Sequence, residues 1–270
     1  MNQTITLASA KGGTGKTTTG LNLAVAFAER GRPTLLVDAD PQGAVALALA
    51  KSEGEWNGLH EYLTDQAGVD DVVMKSKLEA LSILPRGRLD MVEVDEFVDA
   101  IRSGGLERLI SALKDRFRYI VVDTPAGVGA ITRAALKASD FVLVPLQAEP
   151  LSLRSLSQVL SVVEHVREAS NPELKLLGIL PTMVKLGHDP SVNVMRALWA
   201  ELGGVLDTAI PRSDQFAVAS ERGLPVAFMA GPPSAEARRF EVLAAECESL
   251  MAELSGAAGE GDERAERELV

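Results

Sequence analysis

The chain has 270 residues, 46% of them apolar and 24% charged, with a formal net charge of −11. That length accommodates one large α/β domain with a substantial core, and the acidic balance argues against a protein that coats nucleic acid by bulk electrostatics. The single cysteine, Cys247, excludes an internal disulfide and any cluster held by several thiolates of one chain; its setting in "LAAECESLMAEL" predicts a packed place on a helix.

In chain order, "TITLAS" reads as a strand with no charged leader ahead of it. It runs into "SAKGGTGKTTTG", Ser9 to Gly20, and then into the helical pattern of "GKTTTGLNLAVAFAERG". A glycine-rich turn between a strand and a helix is the setting a phosphate loop requires. The glycines let backbone N–H groups close around phosphate oxygens, and the helix N-terminus adds a favourable dipole. Gly12, Gly13, Thr14 and Gly15 would form the cradle. Lys16 would contact the β- and γ-phosphates, Thr17 would ligate Mg²⁺ through its hydroxyl, and Thr18 would reach the α-phosphate. The pattern does not demand Lys11; by spacing it is open between a solvated surface lysine and a second phosphate ligand.

The next strand, "PTLLVDAD", puts Asp38 and Asp40 on the same side at its end, with Asp40 open between site chemistry and a cap on the following helix. After the strand "LSILP" and the helix "RSGGLERLISALKDR", the buried run "YIVVDTP" delivers Asp123 at its C-terminal edge. A phosphate loop needs such an acid to hold the magnesium shell. There follow the helix "AITRAALKAS", the strand "FVLVPLQA", the helix "LRSLSQVLSVVEHVREAS" and the strand "LKLLGILPT". The helix "SVNVMRALWAELG", a weaker seventh strand "LDTAIP" and a helix from about Ser234 to Leu254 complete the pattern. This alternation predicts an α/β fold, a doubly wound, mostly parallel sheet with helices on both faces. A single domain over 1–254 is expected, with an acidic tail at 255–270 expected to be disordered. The stretch "EGDERAERELV" holds five acids and two arginines, so −3 of the −11 sits there and about −8 on the body. Any nucleic-acid contact then has to come from a local basic patch. His60, His165 and His188 lack metal-ligand spacing, and solvated or packed positions are expected for them.

Six segments, "KGGTGKTTT", "LLVDADPQG", "IVVDTPAG", "VPLQAEPLSLRSL", "GILPTM" and "IPRSDQFAVASERGLPV", resemble the successive signatures of the ParA/MinD family of deviant Walker P-loop ATPases. They stand in family order from about Thr4 to Leu254 and are more similar to the small ParA and Soj branch than to MinD. The resemblance implies a weak Mg²⁺-dependent ATPase with ATP and Mg²⁺ as its cofactors. Lys11 would be the signature lysine that crosses a homodimer interface to the partner's nucleotide, and Asp40 would orient or activate the attacking water. Asp38 and Asp123 would support Mg²⁺ and its waters, and Met183 and Pro211 would lie near the adenine.

It further implies an ATP-bound dimer that binds DNA without sequence preference, segregates or positions cargo, and is released by a ParB-like or other stimulating adaptor. Two positions that carry DNA-binding arginines in Soj-like relatives are Gly187 and Gln215 here, leaving Lys185, Arg196, Arg212, Arg222, Arg238 and Arg239 as substitutes. Protein cargo and a metabolic P-loop enzyme are the alternatives; the redox branch lacks its cysteines, and an amide ligase would lack its nucleophile domain. The first strand begins almost at once, so operator-specific repression is not expected. No apolar run reaches roughly 18 residues, and the acidic C-terminal segment would be repelled by anionic lipid. No membrane contact is expected, and a cytoplasmic, nucleoid-associated location is.

Overall fold

The computed structural model describes residues 2–49, 56–149, 152–185, 195–196, 199–200 and 202–256. Short apolar runs form the strands β1 (Gln3–Leu7), β2 (Thr34–Asp38), β3 (Met74–Lys75), β4 (Leu81–Leu84), β5 (Tyr119–Asp123), β6 (Phe141–Gln147) and β7 (Lys175–Thr182). The helices are α1 (Lys16–Glu29), α2 (Ala44–Leu49), α3 (Leu59–Leu63), α4 (Val94–Arg102), α5 (Gly105–Leu113), α6 (Ala130–Lys137), α7 (Ser152–Ala169), α8 (Asp214–Glu221) and α9 (Ala235–Gly256). The strands make one sheet in the order β3-β4-β2-β5-β1-β6-β7, parallel except where β3 runs against β4.

Side chains alternate across this sheet, and each face buries its own set. Ile5 and Leu7 of β1, Leu36 of β2 and Tyr119 and Val121 of β5 pack with α1 and α9. Leu35, Val37, Ile120 and Val122 point the other way, into the layer that holds Phe97 and Ile101 of α4, Leu106 and Leu109 of α5, and Ile131 of α6. Val142 and Val144 of β6 meet Val159 and Val163 of α7 on that same side. Cys247 is fully buried on α9, in the packed position its helical spacing predicts.

The topology decides where a ligand can sit. The chain leaves β1 through α1 and reaches β2, two places away, and β5 later fills the gap between them. From β5 it crosses through α6 to β6, on the other side of β1. Connections that diverge in this way open a crevice at the C-terminal ends of the central strands. In that crevice Leu7, Asp123 and Asp38 are register partners across β1, β5 and β2.

One expectation needs correction, and two take finer bounds. "LDTAIP" is not a seventh strand of the expected length: alongside β7 there are only the isolated bridges of Val205, just before the segment, to Ile179 and of Pro211, its last residue, to Val184. The N–H groups of Asp207 and Thr208 donate to the Glu246 carboxylate at 2.6 and 3.0 Å instead of to a ladder, and Pro211 has no N–H to give. The helix expected over "RSGGLERLISALKDR" is α5, which begins at Gly105 rather than Arg102; Arg102 closes a separate helix, α4, and Gly104 between them takes φ +90°. The final helix closes at Gly256, two residues beyond the expected domain end, while 257–270 lie outside the described residues. Most of the expected helix "SVNVMRALWAELG" also lies outside them, although Met195, Arg196, Trp199 and Ala200 are helical.

Gly20 of α1 faces the central strands β1, β2 and β5, of which β2 and β5 carry the buried acids. A Cβ built there would stand 3.4 Å from Leu7, 3.7 Å from Leu36 and 3.8 Å from Val121, which is ordinary contact. Gly20→Ala is therefore expected to be neutral or to stabilise by up to about 1 kcal/mol through helix propensity. Gly20→Leu overfills the same seam and is expected to cost about 1–3 kcal/mol. Denaturant unfolding of both variants checks the opposite signs.

Candidate functional site

Between β1 and α1 the backbone itself makes a cradle. Gly13 and Gly15 have φ of +73° and +84°, and a Cβ at either would meet nothing within 4 Å, so the need for glycine is conformational rather than spatial. Gly15 stands at the N-cap of α1 without a side-chain cap, and the first turn has no acid. The first amides of α1 are thereby left for an anion. Thr182, at the end of β7, donates its hydroxyl to the Thr14 carbonyl at 2.9 Å and fixes the loop against the far strand. Ser9 accepts from Gly127 N–H at 3.0 Å through its carbonyl, which ties the loop to the turn after β5. Lys11, Gly12 and Gly13 are exposed, whereas Thr14 and Lys16 are buried.

The acids take three different environments. Asp123 is fully buried; its Oδ2 accepts from the Thr17 hydroxyl at 2.6 Å, and its Oδ1 has no partner among the described residues. Burial raises its pKa to about 6, against the Thr17 hydrogen bond and the charge of Lys16. Asp38 is equally buried and both its oxygens are committed, Oδ1 to Asp40 N–H at 3.1 Å and Oδ2 to Val45 N–H at 3.0 Å. Burial, then the neighbouring Asp123, pushes Asp38 up to about 7. Lys16 is lowered, chiefly because burial disfavours its ammonium, while Asp123 and Asp40 pull the other way.

Asp38, not Asp40, caps the next helix, because Val45 is the second residue of α2. Asp40 instead folds a turn: its Oδ1 accepts from Gln42 N–H at 2.9 Å and its carbonyl from Gly43 N–H at 2.8 Å. Its carboxylate is partly exposed at the mouth of the crevice.

A cavity of about 440 Å³ opens beside the loop, lined by Gly15, Thr18 and Thr19 on one side and by Met183, Pro211 and Phe216 on the other. Met183 and Pro211 therefore line one cavity with Thr18. The wall exists because Val184 N–H donates to Ile210 at 3.1 Å and Ile210 N–H to Pro181 at 2.9 Å. Met183 itself takes φ +53°, a kink that turns the chain out of β7 over the cavity. Gln147, Arg212 and Asp214, also in the lining, were not singled out as lining residues in the sequence; "IPRSDQF" was the only signal for the last two.

Elsewhere, Lys185, Arg196, Arg212, Arg222, Arg238 and Arg239 are all exposed, and Gln215 lies exposed on α8, while Gly187 and His188 fall outside the described residues. His165 is exposed and His60 is buried against Phe97; among the described residues no group of three or more His, Cys, Asp or Glu could hold a metal. No described helix is long and apolar enough to cross a membrane.

Comparison with known proteins adds relatives that span most of the chain. A family model described as an AAA domain matches residues 2–176. The chromosome partitioning protein ParA of Caulobacter vibrioides is 34% identical, over 82% of this chain and 85% of that protein. The sporulation initiation inhibitor protein Soj of Bacillus subtilis is also 34% identical, over 84% of this chain and 90% of its own length. Among solved structures, a cobyrinic acid a,c-diamide synthase from Mycobacterium smegmatis with bound ATP analogue and magnesium superposes with a TM-score of 0.77, at 28% identity over 97% of both chains.

The raised carboxylates give a signed pH dependence. A group whose pKa is higher folded than unfolded stabilises the fold at low pH and loses that contribution as pH rises through the folded value. With Asp123 near 6 and Asp38 near 7, stability is expected to fall between about pH 4 and pH 8. Asp38→Asn, which cannot ionise, should flatten that slope. Thermal unfolding of both proteins without nucleotide or metal, at pH 5 and pH 8, checks it; identical slopes would refute the assignment.

Proposed function

Because the chain belongs to the ParA/MinD family of P-loop ATPases, we propose that it is a ParA-type positioning ATPase that hydrolyses ATP to ADP and phosphate and uses ATP to control its own pairing. One observation carries the reading: the Thr17 hydroxyl and the half-satisfied Asp123 carboxylate, 2.6 Å apart, stand at the mouth of an open helix N-terminus beside a cavity of nucleoside size. The Asp123 oxygen without a partner and the raised pKa of both buried acids fit a divalent cation, which would relieve both. Thr17, Asp123 and Asp38 are the residues that would hold Mg²⁺ and its waters. Magnesium, when bound, neutralises charge on the phosphates.

The rest is done by the chain's own groups. The amides of Gly12 to Thr18 receive phosphate oxygens, and Lys16, desolvated and drawn toward Asp123, supplies a positive charge where negative charge accumulates. Thr18 reaches the α-phosphate, and Met183 and Pro211 give the base an apolar slot. Asp40, standing free of the buried pair, orients the attacking water. In this reading Lys11, exposed on the outer arm of the loop, reaches the nucleotide of a second copy, so that nucleotide state and dimer state report on each other. Intrinsic turnover is weak because the phosphate end is open to water until that copy closes it.

The name of the chromosome partitioning relative favours DNA as the surface on which the ATP dimer travels; a ParB-like adaptor that stimulates release is part of this proposal. The exposed arginines and Lys185 are the residues available for phosphate contact, against a net charge of −11. Protein cargo remains the second form of the same switch. A glutamine-dependent amide transfer would need a reactive thiol, and the single cysteine, Cys247, is wholly buried on α9.

Asp40→Ala should slow hydrolysis at least about tenfold while ATP still drives dimerisation. Size-exclusion chromatography with ATP tests this, and a monomeric Asp40→Ala protein would overturn the switch. Lys11→Ala should retain nucleotide binding within a few-fold and lose the ATP dimer; undiminished dimerisation would remove Lys11 from the interface. An ATP-dependent gel shift of non-specific DNA, weakening steeply with salt, separates the DNA form of the reading from the protein-cargo form.

A further inference from the structure

Asp40 does its proposed work from a turn that stands outside the sheet. The two bonds that close the turn, from Gln42 and Gly43 N–H, are internal to it and fix its shape but not its place. Place comes from two flanks. On one, the Ala39 N–H donates to the Asp123 carbonyl at 3.0 Å and Asp38 accepts the Asp40 N–H at 3.1 Å, which ties this side to the sheet. On the other stands Arg86, just past the end of β4, the strand that flanks β2 away from Asp123.

The Arg86 guanidinium donates from Nη1 to the Pro41 carbonyl at 2.6 Å and from Nε to the Gly87 carbonyl at 3.2 Å, which sets its plane. The guanidinium lies close beside Gly43: a Cβ there would come within 3.2 Å of Nε and 3.3 Å of Cζ, and Gly43 has φ +65° besides. The loop that carries Arg86 is itself held. Leu59 N–H donates to the Pro85 carbonyl and His60 N–H to the Arg86 carbonyl, both at 2.8 Å. The buried Glu61 carboxylate accepts from Gly58 N–H at 2.7 Å and Arg88 N–H at 2.9 Å. One arm of the guanidinium, oriented by the bond its Nε makes within the anchored loop, thus holds the turn one residue from Asp40. Lysine, a point charge on a flexible stem, could not match that geometry.

We propose that Arg86 is a positioning residue for ATP hydrolysis: it does not touch the nucleotide but sets the Asp40 carboxylate through the Pro41 carbonyl and the Gly43 backbone. The inference rests on the reading of Asp40 as the group that orients the attacking water. Misplacing such a group by about 1 Å is enough to cost rate without costing affinity.

The test is a double-mutant cycle on the full chain, with steady-state hydrolysis of Mg-ATP as the readout. Arg86→Ala should lower kcat about tenfold and leave KM within about twofold. In an Asp40→Ala background the same change should cause no further loss, because the group it positions is gone. Arg86→Gln, which keeps an N–H donor but not the guanidinium, should give an intermediate kcat; it replaces Arg86→Ala in the cycle if that protein proves too unstable to purify. Equal fractional losses in both backgrounds would overturn the inference, as would an unchanged kcat in Arg86→Ala. Asp40→Ala hydrolysing at the unsubstituted rate would instead overturn the role of Asp40 itself, and this inference with it.

Discussion

The rest of the structure is arranged around the meeting of two buried carboxylates at one sheet edge. The register of β1, β5 and β2 sets Asp123 beside Asp38, and both are fully buried. Ionising either in such a place costs the fold a few kcal/mol unless positive charge or hydrogen bonds offset it. The chain supplies only partial offsets: the Thr17 hydroxyl and the Lys16 charge on Asp123, and two backbone amides on Asp38. α1 must therefore start close to these strand ends, where Gly20 packs it against Leu7, Leu36 and Val121. The cost of the acid pair and the geometry of the phosphate cradle are two aspects of one arrangement.

Environment also sorts the acids into separate tasks, as it does wherever neighbouring carboxylates must act differently. Asp38 spends both oxygens on backbone, one on the amide of Asp40 and one on the start of α2, so it is an organiser of the loop as much as a member of the site. Asp123 keeps one oxygen open and presents it beside Thr17. Asp40 stays partly exposed, where it can exchange a hydrogen-bonded water as the buried pair cannot. Spacing alone sets Asp38 and Asp40 on the same side of the strand end; only the positions of Val45 and Gln42 show that they do different work.

What could be read from the sequence was what is local. The phosphate loop, the acids at strand ends and six of the seven strands each depend on a dozen neighbouring residues, and they stand where the patterns put them; the short elements α2, α3 and β3 and the helix α4 had no counterpart in the patterns. The misreadings have non-local causes. "LDTAIP" has the composition of a strand, yet Glu246, some forty residues on, takes the amides a ladder would need. The cavity wall joins Met183 to Pro211 across segments about thirty residues apart, and no periodicity relates them; the family resemblance did. Arg86 gave no signal at all, since an arginine after a strand is ordinarily solvated and its partner is a backbone carbonyl forty-five positions earlier.

The exposure of Lys11, Gly12 and Gly13 has a further physical consequence. Hydrogen bonds and charges aimed at a phosphate are weakened where water reaches the same oxygens, because the effective dielectric is high. The inner half of this site is dry: Lys16, Asp38 and Asp123 are buried, and Lys16 is depressed by that burial. The outer half is wet. A second surface laid over the exposed arm would exclude water and add whatever cation it carried, and both effects act on the phosphate end, not on the base. A site half buried by its own fold and half left to another surface is a physical basis for coupling turnover to association, whichever cargo the pair then holds.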